Sequence, residues 1–195
     1  MLYNVNNKVH NAELDTINKI LSGDKAAFRT LYDTYKRPHL LTCLRYVKDR
    51  SFAEDMLQEA FITIYRDLKQ FNPEKGNFKT WSTRLVINVC LQELRKKHAL
   101  KDSDDIVEAA HTIKTDSKAL QNLNLQDITN LLLKLPAGYR TVFNMYVIDG
   151  YTHKEIAKEL GISDSTSKTQ LMKAKNLLKE LIKDTDTIPA IKYAY

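Results

Sequence analysis

Residues 150–171, Gly150-Tyr151-Thr152-His153-Lys154-Glu155-Ile156-Ala157-Lys158-Glu159-Leu160-Gly161-Ile162-Ser163 and onward to Lys168-Thr169-Gln170-Leu171, read as two helices folded about one tight turn. Thr152 and Glu155 have the spacing of a capping box, in which each side chain takes up the other residue's backbone N–H and starts a helix. Gly161 stands where the chain must leave that helix through a left-handed residue, and Ser163 is placed to cap the next one. Ile156, Ala157 and Leu160 share one face of the first helix, and Ala157 suits a close crossing. Leu171, Ala174 and Leu178 repeat at helical spacing in the second. That leaves Ser165, Thr166, Lys168, Thr169, Met172, Lys173 and Lys175 outward. The outer face offers donors and positive charge and no carboxylate, which is the chemistry for phosphates and base edges in a major groove. An ordinary helical hairpin with a lysine-rich wet side has the same periodicity; the turn chemistry and the charge together favour a helix-turn-helix.

A formal net charge of +6 and a pI of about 9.1 agree with a polyanionic partner. Only five Gly and four Pro in 195 residues point to a mostly helical chain, long enough for one large domain or two small ones. Cys43 and Cys90 lack zinc or redox spacing and read as reduced core cysteines. His10, His39, His98, His111 and His153 are scattered without metal-ligand spacing. With no Gly-rich phosphate loop and no nucleophile elbow either, the reading is a non-enzyme that needs no cofactor or metal. No apolar run is long enough for a membrane span, and residues 1–12 lack a secretory core, so a soluble cytoplasmic protein is expected.

Along the chain, Leu14, Ile17 and Leu21 predict a short helix ending at Ser22-Gly23-Asp24. Phe28, Leu31, Tyr32 and Tyr35 predict a second helix, and Pro38 is expected to open a third carrying Leu40, Leu41, Leu44 and Val47. Ser51 and Glu54 have capping-box spacing ahead of a buried stripe of Leu57, Ala60, Phe61, Ile64, Tyr65 and Leu68. Asn72-Pro73-Glu74-Lys75-Gly76-Asn77 must be a loop. A fifth helix follows over 79–97 with Trp81, Leu85, Val89 and Cys90 inward and a polar stripe of Arg84, Asn88, Gln92 and Arg95. Asp102, Asp104, Asp105, Glu108 and Asp116 make residues 98–123 an acidic linker. Helicity resumes with Leu125, Ile128, Leu131, Leu132 and Leu135, stops at Pro136, and continues through Tyr139, Val142, Phe143, Tyr146 and Val147 into the helix-turn-helix. Residues 184–195 read as a tail.

This layout resembles the extracytoplasmic-function (ECF) sigma factors of bacterial RNA polymerase. The resemblance covers about residues 13–183 and rests on Gly23-Asp24-x-x-Ala27-Phe28, Ala53-Glu54-Asp55-x-x-Gln58-Glu59-Ala60-Phe61, Phe78-Lys79-Thr80-Trp81 with Asn88, and Leu135-Pro136 ahead of the helix-turn-helix. It implies an all-α fold: two small helical domains, 13–97 and 124–183, joined by the flexible acidic linker. It also implies that Asp55, Gln58 and Glu59 dock on core polymerase, although an acidic first turn favoured by the helix dipole accounts for Asp55 equally. The segment from Phe71 through Lys75, Asn77 and Phe78 to Lys79 would capture a base flipped from the minus-ten element. Asn88 and Gln92 would line that site, and Lys75, Lys79, Arg84, Arg95, Lys96 and Lys97 would hold the backbone. Trp81 is either core or a stacking platform.

In the second domain, Ser165, Thr166, Lys168, Thr169, Met172, Lys173 and Lys175 would face the minus-thirty-five element. Two departures stand out: Ser167 occupies an inward position where Val or Ile is usual, and Lys replaces Arg at basic positions. A Lys lacks the bidentate fork that reads guanine, so phosphate anchoring or DNA shape would weigh more. The resemblance implies core RNA polymerase, promoter DNA and an anti-sigma factor as partners, and a monomer when free. A stand-alone helix-turn-helix regulator and a protein-binding helical adaptor are the competing readings. The regulator would need a dimerisation surface, and no heptad pattern supplies one.

Overall fold

The computed structural model describes residues 2–99 and 129–183; the acidic segment, Leu125, Ile128 and the tail lie outside the described residues. Those residues are helical, with no strand among them. They fall into two compact units, residues 2–44 and 49–99 in one and 45–48 and 129–183 in the other.

The first unit contains α1 (Leu2–Leu21), α2 (Lys25–Tyr46) up to Leu44, α3 (Arg50–Asp67) and α4 (Phe78–Ala99). Helix α1 is longer than its periodicity suggests and packs through Ile17 and Ile20, whereas Leu21, expected inside, is 52% exposed. Gly23 turns the chain at φ +98°, and Asp24 caps α2 by accepting from the N–H groups of Ala26 (2.8 Å) and Ala27 (3.2 Å). Pro38 does not open a helix but lies inside α2. Proline there costs the bond to the carbonyl four residues back, and that carbonyl belongs to Thr34, on the exposed side where water can reach it. Meanwhile Leu31, Tyr35, His39 and Cys43 form one buried stripe across the proline, so packing outweighs the lost bond.

Helix α3 starts two residues earlier than Ser51 suggests. Asp49 is its N-cap, accepting from the Phe52 N–H at 2.7 Å, and Glu54 pairs with Arg50 (2.9 Å) instead of closing a box. Its buried face is Ala53, Met56, Leu57, Ala60, Phe61 and Ile64; Tyr65, expected inside, is 53% exposed. Two short 3-10 turns, Leu68–Gln70 and Pro73–Lys75, then lead to α4, whose buried face carries Phe78, Ser82, Val86, Ile87, Val89, Cys90 and Leu91. Cys43 and Cys90 are both buried and free.

The second unit contains α5 (described over residues 129–133), α6 (Ala137–Phe143), α7 (His153–Leu160) and α8 (Asp164–Lys183). Pro136 precedes α6, and the buried Arg140 guanidinium donates to the Leu135 carbonyl at 2.9 Å, closing that corner. A single π-helical segment, Asn144–Ile148, follows α6. The wider turn rotates the face that a continuous α-helix would have kept inward. Tyr146 and Val147, expected inside, are therefore exposed, while Asn144 and Met145 are buried.

Candidate nucleic-acid interface

In the helix-turn-helix the local chemistry matches the sequence reading. Thr152 Oγ1 accepts from the Glu155 N–H at 3.3 Å, and Glu155 Oε2 accepts from the Thr152 N–H at 2.8 Å. Gly161 adopts φ +65°, ψ +31°, a conformation that costs a residue with Cβ about 1–2 kcal/mol. Ser163 Oγ then accepts from the Thr166 N–H at 3.0 Å and starts α8. Ile156, Leu171, Ala174 and Leu178 form the buried seam.

Ser167 is fully buried, and its hydroxyl lies 2.9 Å from Nδ1 of His153. The side chain that appeared too small and too polar for the seam thus ties the start of α7 to α8. His153 in turn stacks on Tyr146, with ring centroids 4.3 Å apart and planes at 22°. His153 was the residue to look for: a ring four positions past Asp149 and fourteen before Ser167 supplies the polar partner that a buried serine requires.

Ser165, Thr166, Lys168, Thr169, Lys173 and Lys175 are exposed, as is Met172 (55%). The face is not free of carboxylate, as the sequence reading had it. Asp164 accepts from Lys168 at 2.6 Å, and the Lys168 ammonium holds its carboxyl below the usual carboxylate range. Both side chains are well exposed, so the pair is weak in water and yields readily to a phosphate.

In the first unit, the segment from Phe71 to Lys79 is anchored on aromatic rings. Phe71 packs edge-on against Phe78 (5.6 Å, 89°), Phe78 against Tyr35 (5.1 Å), and Trp81 against Phe71 (5.5 Å) and Phe78 (5.6 Å). Phe78, read as a DNA contact, is only 1% exposed and belongs to the core; it supports the segment from beneath. Trp81 and Phe71 are half-buried. Asn77 caps α4 by accepting from the Thr80 N–H at 2.8 Å, so its carbonyl oxygen is engaged while the exposed amide can still donate. Asn72 similarly caps the Pro73 turn (2.9 Å to the Glu74 N–H), and Gly76 follows with φ +151°.

Lys75, Lys79, Arg84, Gln92, Arg95 and Lys96 are exposed and Asn88 is half-buried. Arg84, Asn88, Gln92 and Arg95 recur about one turn apart along α4. Lys96 donates to Glu93 (2.6 Å), which raises its pKa; the side chain of Lys97 is outside the described set. Beneath this region His39 is buried with Nε2 3.1 Å from Ser82 Oγ, and burial, with the charge of Lys79 second, pushes its pKa down to about 4.

A separate surface lies along α3. Asp55, Gln58 and Glu59 are all exposed, and so is Ile62 at 60%. These positions follow i, i+3, i+4, i+7 and therefore share one helix face. Ile62 was not singled out from the sequence, although an apolar side chain one turn beyond two polar ones on a solvent face is the signal that could have found it. Among the described residues no cluster of His, Cys, Asp and Glu could hold a metal ion, and no helix is long and apolar enough to cross a membrane.

The chain thus carries two small helical units, one with a polar, cationic surface over an aromatic cluster and one ending in a capped helix-turn-helix. The sigma-70 region 2 family model matches residues 31–99, and the sigma-70 region 4 model matches residues 125–178. The ECF RNA polymerase sigma factor SigW of Bacillus subtilis is 30% identical over 179 residues, covering 86% of this chain and 95% of that protein. The ECF sigma factor SigM of the same organism is 28% identical over 152 residues, covering 77% and 92%. In fold, the chain is similar to a solved sigma factor RpoE, crystallised with the anti-sigma factor NepR from Bartonella quintana (TM-score 0.53, 22% identity, 80% of this chain and 96% of that one). The chain belongs to the ECF sigma factor family.

Proposed function

We propose that this ECF sigma factor binds core RNA polymerase and directs promoter-specific transcription initiation, with separate surfaces for polymerase and for two promoter elements. The observation that carries the reading is that one chain holds both a region 2 match and a region 4 match in that order. A stand-alone regulator is not favoured, because its helix-turn-helix would not call for the first match at all. Sigma factors are non-enzymatic initiation factors, and we infer no catalytic step for this chain.

Residues 13–97 would serve polymerase docking and the minus-ten element, 124–183 the minus-thirty-five element, 98–123 would join them, and 184–195 would be a tail. Asp55, Gln58, Glu59 and Ile62 form the proposed polymerase face, where an exposed apolar side chain ringed by acids and an amide suits a partner helix with basic and apolar groups. Phe71, Lys75, Asn77, Lys79, Arg84, Asn88, Gln92, Arg95 and Lys96 would serve the minus-ten element. Base unstacking of a few kcal/mol per step would be offset there by ring stacking on Phe71 or the open part of Trp81. Ser165, Thr166, Lys168, Thr169, Met172, Lys173 and Lys175 would serve the minus-thirty-five element. An anti-sigma factor is a further partner supported by the RpoE complex.

The test is reconstitution with bacterial core polymerase on a pool of random upstream sequences. Lys168→Glu with Lys173→Glu is expected to abolish start-site selection while polymerase binding persists. Asp55→Ala with Gln58→Ala is expected to weaken polymerase binding while leaving the DNA face intact. Failure of both pairs at the same step would refute the division of labour.

A further inference from the structure

Between α6 and the flank of α8 lies an open cleft of about 350 Å³ lined by Tyr139, Ser165, Thr166, Thr169, Gln170 and Lys173. Each lining side chain can donate a hydrogen bond, one is a cation and none is a carboxylate. Tyr139 and Gln170 are half-buried and form its wall; the other four are exposed at its mouth. The Gln170 amide lies across the bare backbone of Gly138, where a Cβ would stand 3.6 Å from Oε1 and 3.7 Å from Nε2. The Ser165 and Thr166 hydroxyls are each held 2.8 Å from Ser163 Oγ, so the helix cap fixes that edge.

We propose that Tyr139 and Gln170 seat a DNA backbone phosphate in this cleft, so that α6 adds a contact to the minus-thirty-five grip from outside the helix-turn-helix. The proposal rests on the sigma-factor reading and extends it to two residues to which the sequence reading gave no DNA role. The Lys173 ammonium and the absence of a carboxylate in the lining favour an anion, toward which the hydroxyls and the Gln170 amide can turn their donors. The Tyr139 hydroxyl and the Gln170 N–H would donate to phosphate oxygens, with the Lys173 ammonium supplying charge. An open cleft with one cation is a poor holder of free phosphate. A duplex already held by Lys168, which is not part of the cleft lining, would present its phosphate there at high effective concentration.

The test uses the full chain with core polymerase and a promoter recovered by selection, in which single minus-thirty-five phosphates are replaced by neutral methylphosphonates. The wild-type holoenzyme is expected to lose about tenfold in promoter affinity at one position, the scale of a hydrogen bond to a charged group. Tyr139→Phe with Gln170→Ala is expected to lose about tenfold on unmodified DNA and nothing further at that position, with an unchanged thermal midpoint. Normal affinity of this variant, or an undiminished loss at the same phosphate, would overturn the proposal. So would saturable binding of inorganic phosphate to the free chain at Tyr139, which would make the cleft a site for free anions. If Lys168→Glu with Lys173→Glu fails while the Tyr139 and Gln170 variant behaves as wild type, only the cleft assignment falls. If the lysine pair also selects start sites normally, the sigma-factor reading falls with it.

Discussion

The surface from Phe71 to Lys79 and the helix-turn-helix are held in place by different physics. The first rests on a cluster of rings, Tyr35, Phe71, Phe78 and Trp81, that bury large apolar area from several elements at once. The second rests on backbone chemistry, a capping box, a left-handed glycine and a serine cap, together with one half-buried histidine–serine bond. Packed rings resist displacement, which the proposed base unstacking at the first surface would require. Short polar ties fix orientation with little area, which the proposed seating of a preformed helix in a groove would require.

The largest expected effect breaks the first half of this comparison. Phe78→Ala removes a ring with 1% exposure and should cost about 3–5 kcal/mol in the first unit. Trp81 is the chain's only tryptophan and lies in that unit, so its fluorescence in urea reports this unit while circular dichroism follows both. The fluorescence midpoint should fall sharply and the remaining helical signal should melt at its former midpoint. If both move together, the two units are not stabilised independently.

Acid should act on the same unit. His39 is an ordinary imidazole when unfolded, with pKa near 6.5, and is held to about 4 when folded, chiefly by burial. Its contribution is fully present above pH 6.5, where it is neutral in both states. It is lost as pH falls toward 4, because the unfolded chain takes up the proton first. The loss reaches about 3 kcal/mol near pH 4. Urea midpoints read by Trp81 fluorescence between pH 7 and 4 should follow this slope, and His39→Gln should flatten it. A slope unchanged by that substitution would assign the acid sensitivity elsewhere.

The same contrast explains what the sequence could disclose. Backbone devices are local, and Thr152, Glu155, Gly161 and Ser163 announced the helix-turn-helix because each acts within a few residues of itself. Tertiary packing is not local. Pro38 looked like a helix start because the stripe of Leu31, Tyr35, His39 and Cys43 that overrides it is a property of what α2 packs against. Phe78 looked like a ligand contact because motif position cannot distinguish a ring at the surface from one just beneath it. The π-helical segment at Asn144–Ile148 left Tyr146 and Val147 outside, and no 3.6-residue pattern anticipates a wider turn. Tyr139 was read only as part of a helical stripe and Gln170 only as part of the second helix, because their shared cleft joins positions 31 residues apart.

The smallest effect sharpens the second half of the comparison. If the histidine–serine bond positions α8, Ser167→Ala should cost about 1 kcal/mol, the ordinary net value of such a bond. Ser167→Val should stay within about 1 kcal/mol of the parent, since added apolar burial offsets the lost bond and half-exposed His153 can turn to water. Both are read from the part of the circular dichroism change that Trp81 fluorescence does not report. Promoter affinity separates packing from orientation: a valine variant as stable as the parent but weaker on DNA would mean that the bond sets the angle of α8. A valine cost above about 3 kcal/mol would instead show overpacking at a seam with no room for a branched side chain. An alanine variant with no cost would show that the caps and the left-handed glycine suffice to hold the reading helix.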